Sequence, residues 1–187
     1  MRTETVEIFK FSELSDTAKD RARDWFRSDG DAWGWASEWI ASARAFENIA
    51  PIKIRGWDMD RRQVWIEWIG PDYASRYDHS DAIAELTGSR AWKWLTNNNW
   101  FTWARAEREC KYSLTGFFAD CTFADALKEY EGHPARVPDL KQVFYEMAQS
   151  WVSAAQDDCD YANSDEAVSE TIEANEYEFD QHGNFYG

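Results

Sequence analysis

The chain has 187 residues, of which 35 are acidic and 20 are Lys or Arg, giving a formal net charge of −15. Aromatic residues make up 17% of it, which excludes a disordered chain, and the length suffices for a core burying roughly 70% of the unfolded surface. The acidic excess excludes direct binding to a nucleic-acid backbone or an anionic membrane surface, since both need clustered bases, and no run reaches the ~18 apolar residues of a membrane span.

In residues 3–11, Val6 and Ile8 alternate with Thr5, Glu7 and Phe9, which predicts an edge-type strand. Ser15 offers an N-cap for a helix over 16–28, with Ala18, Ala22, Trp25 and Phe26 at helical spacing. Its polar face carries Asp16/Lys19, Asp20/Arg23 and Asp24/Arg27 three residues apart. A second helix over 32–48 presents Trp35, Trp39, Ala43 and Phe46 as an apolar stripe and stops before Pro51. Residues 52–57 and 63–69 read as a hairpin joined by the polar turn 58–62 and closed by Gly70-Pro71. Val64, Ile66 and Trp68 face one way while Trp65 and Ile69 face the other, so this strand is expected to be covered on both sides.

Residues 81–86 read as a helix after Ser80, with 89–95 continuing it beyond Gly88, and the Asn97-Asn98-Asn99 run breaks the chain. Strand-like alternation is assigned to 100–114 and a short helix to 123–130. Asp139 opens the longest helix, running to about Tyr161 with Leu140, Val143, Phe144, Met147, Trp151 and Ala155 at spacings of three and four. Ser164 caps a last helix to about Asn175, with Val168 and Ile172 one turn apart, and 176–179 forms a short strand before an Asp180-Gln181-His182-Gly183 turn. Helices and strands in mixed order with hairpin-like pairs predict an α+β fold: an antiparallel sheet with helices packed against it, one domain over 1–187. Within that domain, 142–187 is an acidic helical section, holding eleven acids and no Lys or Arg.

Two stretches, FSELSDTAKDRARDWFR (11–27) and TIEANEYEFDQHGNFYG (171–187), resemble the two ends of small acidic proteins encoded by bacteriophages and prophages. In that group an E-L-S, then A-K and an aromatic ending the first helix, recur, as does A-N-E-Y-E-F before a Gly turn. The resemblance covers under a fifth of the chain. It implies a mobile-element origin and a bacterial cytoplasm, and by association a host-defence inhibitor of the anti-CRISPR or anti-restriction type. It supplies no functional residue.

The chemical motifs are sparse. His79, His133 and His182 lie far apart in polar surroundings, and neither H-E-x-x-H nor a Cys at ligand spacing accompanies them, so no metal site is expected. The three cysteines contain no C-x-x-C; Cys110 and Cys121 read as core thiols, and Cys159 sits among Asp157, Asp158 and Asp160, which suppress its thiolate. Asp58-Met59-Asp60 lacks the remaining ligands of a Ca²⁺ loop. G-x-S-x-G, Walker A and G-x-G-x-x-G are absent, so neither a cofactor nor an enzymatic activity is expected.

Eleven of the twelve tryptophans precede residue 104. The spacing of Trp25, Trp35, Trp39 and Trp68 fits core packing, whereas Trp92, Trp94, Trp100 and Trp103 are less well explained. Trp100 and Trp103 are taken as exposed partner anchors, a role in which tryptophan is enriched. The carboxylates Asp157, Asp158, Asp160, Asp165, Glu166, Glu170, Glu173, Glu176, Glu178 and Asp180 are taken as a field for a Lys/Arg-rich groove that normally holds nucleic acid. The expected partner is a basic host protein or nucleoprotein complex, without direct nucleic-acid or membrane contact. Two other readings stand beside it: an antitoxin-like partner of a basic toxin, which uses the same physics, and a small enzyme assembled from dispersed carboxylates.

Overall fold

A computed structural model describes residues 7–29, 34–71 and 80–186. The architecture is α+β, with helices packed against two small antiparallel sheets of two strands each. The chain sorts into two compact units, one formed by Met1–Gly34 with Asp158–Gly187 and the other by Trp35–Asp157. The acidic section 142–187 is therefore divided between them, and each unit has its own buried cluster.

In the first unit, strand β1 (Phe9–Lys10) pairs with β4 (Glu178–Phe179), with Phe9 opposite Phe179 and Lys10 opposite Glu178. Among the described residues the strand expected over 3–11 covers Phe9–Lys10, ended by a 3-10 segment at Phe11–Glu13; the 3–6 portion lies outside the described residues. Helix α1 (Asp16–Asp29) and helix α8 (Asp165–Ala174) supply the rest of the frame. Ala18 and Ala22 from α1 meet Val168 and Ile172 from α8, together with Phe11, Leu14 and Phe179. Alanine faces on α1 let α8 approach closely, and burial of these apolar side chains drives the association. Trp25 is half-buried beside this cluster and stacks on Phe185 at a centroid separation of 4.0 Å. Ser164 caps α8 as its position predicts, its hydroxyl accepting from the Ala167 N–H at 3.2 Å. Gly183 closes the unit with φ +81°, where a Cβ would lie 2.1 Å from the carbonyl oxygen of Ala18.

The second unit holds helix α2 (Gly34–Ile49), strands β2 (Ile52–Asp58) and β3 (Gln63–Trp68), and helices α3 (Ser80–Ala84), α4 (Gly88–Asn97), α5 (Trp100–Arg108) and α6 (Ala119–Asp125). Helix α7 (Leu140–Ala162) contributes all but its last five residues. The stripe read from the sequence of α7 is the buried one: Leu140, Val143, Phe144, Met147, Trp151 and Ala155 are all inaccessible. Around it gather Trp39, Phe46, Ile52, Ile54, Leu95, Phe101, Phe123 and Leu127. The Trp35 side chain lies outside the described residues. Aromatic rings meet in offset and edge-to-face pairs, such as Trp57 against Trp151 at 5.5 Å and Phe46 on Phe123 at 4.1 Å.

Two expectations change here. Residues 100–108 form a helix, not a strand: its buried positions are the adjacent pair Trp100 and Phe101, then Ala104 and Glu107 at successive steps of three. The hairpin is covered on one side, not both. Val64 is buried and Ile66 and Trp68 pack on the core, but Trp65 is 51% exposed and Ile69 42%. Arg55 forms a bulge between the Ile54↔Ile66 and Gly56↔Trp65 pairs, and the Trp65 ring lies over Gly56 on the open face.

Candidate functional site

The first unit carries seventeen acidic and six basic residues, so −11 of the total −15 resides on it, against eighteen and fourteen in the second. Its sharpest feature is α8. With 100° between successive residues, Val168 and Ile172 define the buried side, while Glu166, Glu170 and Glu173 fall within about 60° of one another on the opposite side. All three are exposed, as are Glu176 and Glu178 beyond the helix end, and none of the five forms an ion pair among the described residues.

The other predicted carboxylates behave differently. Asp165 is claimed by α1: Arg27 Nη2 donates to its Oδ1 at 2.5 Å, and Arg23 Nε stands 3.6 Å away. The Arg27 hydrogen bond, then the Arg23 charge, hold its carboxyl below the usual carboxylate range. Asp180 organises the final turn, accepting from Asn184 Nδ2 at 2.8 Å, Asn184 N at 3.0 Å and His182 N at 2.8 Å. The Asn184 bonds chiefly lower its pKa. Asp157 belongs to the second unit, where Arg62 Nη1 reaches it at 2.6 Å. Asp158 and Asp160 stand at the start of the first unit's second segment, and each already engages a neighbour. Of the ten carboxylates, Glu166, Glu170, Glu173, Glu176 and Glu178 are therefore left without an ion pair among the described residues, the first three of them on one side of α8.

The tryptophan anchors are corrected. Trp100 is 6% exposed and packs edge-on against Phe144 at 4.8 Å, so it is a core residue and not an exposed anchor. Trp103 is half-buried against Phe46 and Trp100, and its indole N–H, like that of Trp92, is buried with no acceptor among the described residues. Sequence reasoning placed these rings on a strand, where both faces alternate; on a helix, Trp100 turns inward.

Buried carboxylates missed in the sequence sit in the second unit. Asp120 is fully buried: its Oδ2 accepts the N–H groups of Leu114, Thr115 and Gly116 at 3.2, 2.8 and 3.2 Å, and its Oδ1 the hydroxyls of Ser42 and Thr115, both at 2.7 Å. Glu107, also fully buried, accepts from the Ser113 N–H and hydroxyl. The two carboxylates fasten the 113–116 loop, a structural task. Cys110 in that region is exposed, correcting the core-thiol reading, and Cys121 is half-buried. Burial, with Asp125 second, raises the Cys121 thiol to about 11.

Among the described residues no group of three His, Cys, Asp or Glu side chains is placed to hold a metal ion, and no helix is long and apolar enough to cross a membrane. His79 lies outside the described residues, and His133 and His182 are exposed. No family model, curated protein or solved structure matches the chain.

Proposed function

We propose that the protein is a phage- or prophage-encoded acidic binding protein that docks on a Lys/Arg-rich, nucleic-acid-binding surface of a host defence nucleoprotein or nuclease. The observation that carries this reading is the outward stripe Glu166, Glu170 and Glu173, extended along the chain by Glu176 and Glu178, none of which is in an ion pair among the described residues even though Lys10 stands across the strand from Glu178. Like charges at i, i+3 and i, i+4 cost a helix about 0.2–0.5 kcal/mol per pair. Glu173 also opposes the helix dipole in the last turn of α8. Local stability therefore disfavours the pattern, and a basic partner would reverse its sign.

Charge density bounds the mode of binding. Ten residues of α8 span about 15 Å, over which duplex DNA presents about nine charges. The stripe covers a basic patch; it does not imitate a duplex. Electrostatic attraction would speed encounter and compete with nucleic acid for the same patch.

The test is capture of partners from a bacterial host lysate by the intact chain at low and high salt, alongside Glu166→Lys/Glu170→Lys/Glu173→Lys. The expected result is a basic nucleic-acid-binding partner that is lost at high salt and lost in the triple variant, whose helical circular dichroism is retained. Capture of the same partner by the triple variant would overturn the proposal.

A further inference from the structure

A cleft of about 510 Å³ opens in the second unit, within the range of small-molecule sites. Three separated segments build it: the exit of α2 into β2, the chain leaving β3, and the joint between α4 and α5. Its wall is aromatic. Trp94, Trp100 and Trp103 line it, with Trp100 and Trp103 set edge to face at 5.6 Å and Trp94 edge-on to Phe144 at 6.3 Å, so the indoles are fixed before any ligand arrives. At the rim, Ile69 leaves 42% of its surface exposed.

The charge of the cleft runs against that of the chain. Its lining contains two ionisable side chains, Glu47 and Lys53. Glu47 is committed: Oε1 accepts the Ile54 N–H at 2.6 Å and Oε2 takes Arg44 Nη1 at 2.9 Å. Lys53 has no hydrogen-bond or ion-pair partner among the described residues, because Glu67, its cross-strand neighbour, is taken by Arg55. Among the described residues, the uncompensated charge beside the tryptophans is therefore a single cation, in a chain of net −15.

From the cavity, its indole wall and its unpaired lysine, we infer that this cleft binds a small organic anion with a flat apolar body, of the aryl-carboxylate class. The ring lies against the indoles and the carboxylate meets the Lys53 ammonium. A neutral sugar, the other common guest of tryptophan surfaces, makes no use of that charge. The inference is independent of the acidic stripe on the first unit.

Calorimetry on the full chain, with the indole N–H resonances as a second readout, uses three probes: phenylacetate, its uncharged isostere phenylacetamide, and acetate. Phenylacetate is expected to bind saturably and to shift the Trp94 and Trp103 resonances. Phenylacetamide should bind at least about tenfold more weakly, equivalent to about 1.4 kcal/mol, and acetate should not bind. Lys53→Gln should reduce phenylacetate affinity to that of the amide. Ile69→Glu, at an exposed position, should weaken phenylacetate while leaving phenylacetamide unchanged, and it keeps the test alive if the Lys53 variant does not fold. Absence of saturable binding, equal affinity for acid and amide, or indifference to Ile69→Glu would each overturn the inference.

Discussion

Arg27 on α1 holds two points of the opposing segment at once: its Nη2 donates to Asp165 Oδ1 at 2.5 Å and its Nε to the carbonyl oxygen of Asn163 at 3.0 Å. The entry of α8 is thereby tied to the end of α1 by a residue whose pairing partner could not be named from local spacing. Asp165 consequently belongs to the frame of the first unit, and Glu166, its neighbour, to the surface.

This separation has a pH signature. The Asp165 carboxyl titrates lower in the folded chain than its ordinary value of 3.8, so the unfolded chain takes up the proton first. Its contribution to stability is complete above 3.8 and is lost as the pH falls below that value through the folded pKa. Thermal melts of the wild type and Asp165→Asn should differ at pH 7 and low salt and converge only as the pH falls below 3.8 through the folded pKa. The difference should also shrink in high salt, because the carboxylate is solvent-exposed.

Gly183 should tolerate no side chain. A Cβ there meets the Ala18 carbonyl oxygen at 2.1 Å and requires φ +81° as well, so Gly183→Ala is expected to cost about 3 kcal/mol or more. Gly132 has φ +73° with open space around it, and Gly132→Ala should cost only about 1 kcal/mol. Chemical denaturation of the two variants gives the comparison, and equal losses would refute the close approach of Gly183 to α1.

Asp120 provides a test of the loop clamp. Asp120→Ala strands three N–H groups and is expected to cost about 3–5 kcal/mol. Asp120→Asn should cost about 1 kcal/mol, since its amide oxygen can keep the N–H bonds at the Oδ2 position while the Ser42 and Thr115 hydroxyls rotate to accept from its NH₂. Hydrogen exchange at Leu114, Thr115 and Gly116 should quicken in the Ala variant and stay slow in the Asn variant.

The cysteines should differ in reactivity. With its thiol raised to about 11, Cys121 is ionised in only about one molecule in a thousand at pH 8. Iodoacetamide at that pH should label the exposed Cys110 well before Cys121, as peptide mass mapping of a time course would resolve.

Amphipathic periodicity made α1, α7 and α8 readable, down to the Ser164 cap, and alternation between turn residues made the hairpin readable. The α5 segment misled because Trp100, Phe101, Thr102 and Trp103 favour strands by side-chain type. Its i, i+4, i+7 burial emerges only once Ala104 and Glu107 are counted as inward, and a buried glutamate breaks the polar-outside pattern. The charge stripe of α8 was legible as helical spacing, but its membership was not. Which acids remain unpaired depends on Arg23, Arg27 and Arg62, distant in sequence from the residues they engage. The cleft escaped notice because its walls come from segments around residues 50, 70 and 98, a juxtaposition that no local pattern encodes.

Because β1 pairs with β4, residues 9 and 10 find their partners only near residue 179. The 35–157 segment, contiguous in the chain, has its packing partners within itself, whereas α1 must wait during synthesis for α8 to emerge. Until then its alanine face is uncovered in the nascent polypeptide. A released chain that ends near residue 160 would carry one unit's core and, in place of the other, a bare amphipathic helix, a substrate for chaperones rather than a half-active protein.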